Sequence, residues 1–65
     1  MGSGFYPQLR DILLANGCTL IRQGKGSHEV WHSPINGRTF PVAVTVQSRL
    51  TANGILKNAG IAQKI

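Results

Sequence analysis

Residues 22–32 read Arg22-Gln23-Gly24-Lys25-Gly26-Ser27-His28-Glu29-Val30-Trp31-His32, and the fold follows from how this stretch is read. The segment before it, Cys18 to Gln23, is a strand that ends in arginine and glutamine. Gly24-Lys25-Gly26 then turns the chain, because glycine tolerates backbone shapes that other residues resist. Ser27 to His32 forms the second strand. Side chains alternate along a strand, so His28, Val30 and His32 share one face and Trp31 takes the other.

Working outward, Ser33-Pro34-Ile35-Asn36-Gly37 is dense in turn formers, and its Asn-Gly pair is a hairpin signal. Arg38 to Val44 is a third strand. Pro41 within it has no N–H for a ladder bond, which places this strand at an edge or at a bulge. Before the first strand, Phe5, Leu9, Ile12 and Leu13 recur at helical spacing over Pro7–Asn16. Pro7 suits the first turn, and Gly17 is the stop. Leu14 lies at the edge of the apolar stripe or meets a partner. Leu20 and Ile21 are adjacent, so at most one faces a buried side. After a connector from Thr45 to Leu50, Thr51 is the expected N-cap of a second helix, Ala52–Ala59. Ala52, Ile55, Leu56 and Ala59 line one side of it, and Gly60 ends it.

The expected fold is α+β in the order α-β-β-β-α. Three antiparallel strands form a meander, with two helices on one face. Residues 1–4 are expected to be a flexible N-terminus or tag remnant, and residues 5–65 one domain. A chain of 65 residues buries only a thin core. No apolar run approaches the ~20 residues of a membrane span, and no secretory leader is expected. Cys18 is the single cysteine, which excludes an internal disulfide and a thiolate metal cluster. It reads as core filler in a protein of the reducing cytosol.

Formal net charge is +5, from seven Lys and Arg against Asp11 and Glu29. Such an excess favours polyanionic partners and speeds encounter with them. Two distant carboxylates do not provide a paired-carboxylate hydrolase or a Mg²⁺ nuclease site. The glycine turn lacks the Walker spacing and leads into a strand, so it is not a nucleoside-triphosphate loop. His28 and His32 lie ~13 Å apart along a strand, too far to share one metal. His28, leaving a glycine turn beside Arg22 and Lys25, is placed to meet an anionic partner, and histidine exchanges protons near neutrality. RNA carries its own nucleophile, the 2′-hydroxyl, which a base activates without metal. Cations such as Lys25 and Arg22 would stabilise the phosphorane, and Ser27, next to Gly26, would orient the phosphate or the imidazole.

Several blocks in this order resemble one family. Leu13-Leu14-Ala15-Asn16-Gly17 is similar to its opening helix. Leu20-Ile21-Arg22-Gln23 before Lys25-Gly26-Ser27-His28 is similar to its most telling signature. Phe40-Pro41-Val42 resembles its third strand, and Ile55-Leu56-Lys57-Asn58-Ala59-Gly60-Ile61 its closing helix. The family is the HicA toxins, small messenger-RNA interferases of type II toxin–antitoxin systems. Relative to the family signature, Gly24 is an additional glycine, and Ala43 stands where many relatives carry a histidine. The resemblance implies a fold similar to a double-stranded-RNA-binding domain, a catalytic His28, no cofactor, and a HicB-type antitoxin that covers the site. Two further readings stay open. One is a non-catalytic double-stranded-RNA-binding module that reads duplex shape. The other is a protein-interaction domain using an exposed sheet edge.

Overall fold

Helix α1 spans Tyr6–Ala15 and carries Pro7 in its first turn, where a missing N–H leaves no helical bond unmade. The computed structural model describes residues 4–65. Met1, Gly2 and Ser3 of the expected flexible N-terminus lie outside the described residues. Gly4 is half-buried, and the Phe5 N–H donates to the Val46 carbonyl at 2.8 Å, which ties the start of α1 to the chain after the sheet.

Strands β1 (Thr19–Gln23), β2 (His28–His32) and β3 (Thr39–Ala43) follow, then α2 (Arg49–Asn58). The sheet is antiparallel in the order β1-β2-β3, so β3, with Pro41, is an edge strand. Both helices stop in the same way. After α2, Gly60 takes φ +78°, a value that L side chains rarely adopt, and the Ile61 and Gly60 amides donate to the Leu56 and Lys57 carbonyls at 3.0 Å each. Ile61 and Leu56, the pair that this Schellman ending brings together, are both buried.

The core is one cluster. Trp31, Phe40 and Val42 come from one face of β2 and β3, Leu9 and Leu13 from α1, and Ala52, Ile55 and Leu56 from α2. Trp31 pairs directly with Phe40, so the pleat sends both rings to the same side. Burying each large apolar side chain contributes roughly 1.5–3 kcal/mol. The opposite sheet face carries His28, Val30, His32, Thr39, Pro41 and Ala43, which are exposed or half-buried. Both helices therefore cover one face and leave the other open, as expected. Cys18 is a buried free thiol, and Leu14 is 44% exposed.

One detail differs from the sequence reading. Helix α2 begins at Arg49, not Ala52, and its N-cap is Ser48, not Thr51. Thr51 lies in the first turn and its amide donates to the Ser48 hydroxyl at 3.3 Å. Ser48 is as good a cap, and Leu50, at 83% exposure, contributes nothing to the apolar stripe that would have announced the extra turn. Neither Leu20 nor Ile21 is buried, which lies within the expectation that at most one would face a buried side. The register steps from Leu20↔Trp31 to Arg22↔Val30, which leaves Ile21 as the extra residue of a bulge on an uncovered strand. The hairpin that the Asn-Gly pair signalled is present and joins β2 to β3. The turn runs over residues 33–38 and docks on the end of α2: the buried Ser33 hydroxyl donates to the Ala59 carbonyl at 2.6 Å, and the Asn36 amide to the Asn58 carbonyl at 2.9 Å.

Candidate active site

His28 opens β2, and the loop before it fixes its backbone. The Gly24 N–H donates to the His28 carbonyl at 2.8 Å, and the His28 N–H donates to the Lys25 carbonyl at 3.2 Å. Gly26 occupies the second position of that Lys25–His28 turn at φ +64°, the positive value of a type II′ turn. On the other side, the Val44 N–H donates to the Ser27 carbonyl at 2.9 Å, which carries the β2–β3 pairing up to the histidine. A Cβ on Gly24 would stand 3.0 Å from the His28 carbonyl oxygen. Gly24 is thus packed against the backbone of His28, four residues on.

The imidazole is exposed on the open face. Arg22 lies directly across from Val30, and directly paired residues share a face, so Arg22 stands on the same side as His28. Lys25 and Gly26 are exposed in the turn, and Ser27 is half-buried behind His28. His32 shares the face but lies opposite Thr39, at the far end of β2. Among the described residues, no carboxylate side chain joins this group. Glu29 points to the core, and Asp11 rides on α1 behind the sheet.

Helix α2 packs beside the β3 edge, and its flank meets the open sheet face in a groove of about 530 Å³. His28, Pro41 and Ala43 line the sheet wall. Thr51, Gly54, Ile55, Lys57 and Asn58 line the helix wall. Sequence reading placed Arg22, Lys25, Gly26 and Ser27 around His28, and they adjoin it through the loop. It missed Thr51, Lys57 and Asn58, which share the groove with His28 itself. Their spacing along one flank of a helix was the available signal.

Behind His28, the neighbouring Glu29 is 8% exposed and accepts two hydrogen bonds on Oε1, from the Tyr6 hydroxyl at 2.8 Å and from Trp31 Nε1 at 3.0 Å. Burial, and then the Glu29 carboxylate, push the Tyr6 phenol above its usual value near 10. The raised value means that this contribution to stability is complete below pH ~10 and fades as pH climbs through the folded value. Tyr6 is the only tyrosine, so tyrosinate absorbance reads it alone. An alkaline titration is expected to place the folded midpoint above 10. In Glu29→Gln the midpoint falls back part of the way, because burial persists; a midpoint unchanged by the substitution would contradict the contact.

The HicA_toxin family, described as the HicA toxin of bacterial toxin–antitoxin systems, matches residues 6–61. The chain belongs to the HicA family. The match runs from the first residue of α1 to the Ile61 that closes α2, and so takes in the loop, His28 and both walls of the groove. As a HicA toxin, the protein is the toxic member of a toxin–antitoxin system and has a cognate antitoxin for a partner. Searches of curated proteins and of solved structures gave no significant match. Among the described residues, no group of three His, Cys, Asp or Glu side chains is placed to hold a metal, and no helix is long and apolar enough to cross a membrane.

Proposed function

We propose that this HicA toxin is a metal-independent endoribonuclease of the cytoplasm that cuts messenger RNA with His28 as general base, and that a HicB-type antitoxin neutralises it by covering that residue. The observation that carries the reading is His28: an exposed imidazole, with its backbone held from both sides, on a cationic face that no carboxylate shares. His28 takes the proton of a ribose 2′-hydroxyl. The freed oxygen attacks the adjacent phosphorus, the bond to the 5′ oxygen breaks, and that oxygen leaves with a proton from solvent. Arg22 and Lys25, with the Gly26–Ser27 backbone, face the charge that builds on the phosphorane.

The chemistry specifies the ends of the fragments. Cleavage in EDTA is expected to leave 2′,3′-cyclic phosphates and 5′-hydroxyls, identified by mass spectrometry. Fragments with 5′-phosphates, or activity that disappears in EDTA, would sink this mechanism. Salt-sensitive binding of duplex RNA with no cleavage would return the chain to the non-catalytic module.

A further inference from the structure

Among the described residues, Gly54 is a glycine that the fold does not explain. Glycine inside a helix destabilises it relative to alanine. Gly17, Gly26, Gly37 and Gly60 sit at positive φ, and Gly24 is packed against the His28 carbonyl. Gly54 has neither reason. Its φ is not positive, and a Cβ there would find no heavy atom within 4 Å. Gly54 is exposed and, with Lys57, lines both the groove that holds His28 and an adjoining recess formed with Leu50, Asn53 and Ile61, so a side chain at position 54 takes up space that the two hollows share.

The walls of the groove match the parts of one nucleotide. Pro41, Ala43 and Ile55 offer apolar surface for the face of a base. Thr51 and Asn58 bring hydroxyl and amide groups that suit ribose oxygens and base edges. Lys57 supplies the cation, and no carboxylate lines the groove to repel a phosphate. Its volume falls within the ~300–1,000 Å³ of small-ligand sites. His28 opens into the same space.

We propose that this groove seats one nucleotide beside the scissile phosphate, that Gly54 is free of a side chain in order to admit it, and that Lys57 holds its phosphate. The inference rests on the ribonuclease reading and specifies where the strand lies. Lys57 thereby joins the site as a binding residue on α2, separate from the loop cations Arg22 and Lys25.

The test pairs stability with activity in Gly54→Gln, Lys57→Ala and Lys57→Arg. Thermal midpoints, cleavage of a long single-stranded RNA in EDTA, and affinity for a random-sequence, uniformly 2′-O-methylated RNA, which lacks the nucleophile, are measured together. Gly54→Gln is expected to raise the thermal midpoint and yet lower kcat/KM roughly tenfold or more. A glycine without a ligand to admit would give the higher midpoint with unchanged cleavage. Lys57→Ala is expected to raise KM about tenfold, with kcat little changed, and to reduce the slope of log affinity against log salt by ~0.7, the loss of one phosphate contact on a single strand. Lys57→Arg restores both. Wild-type cleavage and binding by Gly54→Gln and Lys57→Ala, with His28→Ala inactive, would overturn the groove and leave the ribonuclease standing. The same result with weakened binding of the cognate antitoxin would overturn it and assign the groove to protein instead. A wild-type protein that neither cleaves nor binds RNA would overturn both readings.

Discussion

Replacing Glu29 with alanine is expected to destabilise the protein by about 2–4 kcal/mol. The Glu29 carboxylate is the acceptor for both the Trp31 indole N–H and the Tyr6 hydroxyl, and Trp31 is 1% exposed, so water cannot take over its bond. A buried donor left without a partner costs roughly 1–3 kcal/mol. Part of the loss is offset, because the variant no longer holds a desolvated carboxylate. In a chain this small, total stability rarely exceeds ~3–5 kcal/mol, so the variant should be largely unfolded at 37 °C. Glu29→Gln keeps an acceptor oxygen at the same reach and should lose ~1 kcal/mol. Chemical denaturation followed by circular dichroism checks both values. An alanine variant as stable as wild type would show that Tyr6 and Trp31 do not depend on this carboxylate.

The second large effect falls on activity alone. His28→Ala is expected to lower RNA cleavage by about 10²–10⁴-fold, the usual contribution of a positioned general base. Its thermal midpoint should stay within a degree or two of wild type. The two loop bonds at position 28 are made by the backbone N–H and carbonyl, which alanine retains, and the imidazole is exposed. The two substitutions therefore separate neighbouring residues by face. The proposed mechanism assigns chemistry to position 28 on the open side, and the Glu29 contacts assign stability to position 29 on the packed side.

Much of this was legible in the chain. Period-two alternation sent Trp31 inward and His28 outward, and that survives in the pairing of Trp31 with Phe40 and of His28 with Ala43. Gly17 and Gly60 marked the helix ends, because a left-handed residue after a helix is nearly always glycine. What failed to show was long-range. Glu29 looked like one of two isolated acids, since its partner Tyr6 lies 23 residues away on α1. The groove was hidden for the same reason, because Lys57 reaches the neighbourhood of His28 only after α2 packs beside β3. Ile21 was unreadable locally, because a bulge breaks the alternation on which the face assignment depends.

The central claim is that His28 is the base of a metal-independent ribonuclease. Its most direct test is the rate of cleavage of a long single-stranded RNA in EDTA, measured side by side for wild type and a folded His28→Ala. The expected result is fragmentation by wild type and a rate at least a hundredfold lower in the variant, on the order of the general-base contribution. Equal rates from the two proteins would contradict the claim and remove His28 from the mechanism.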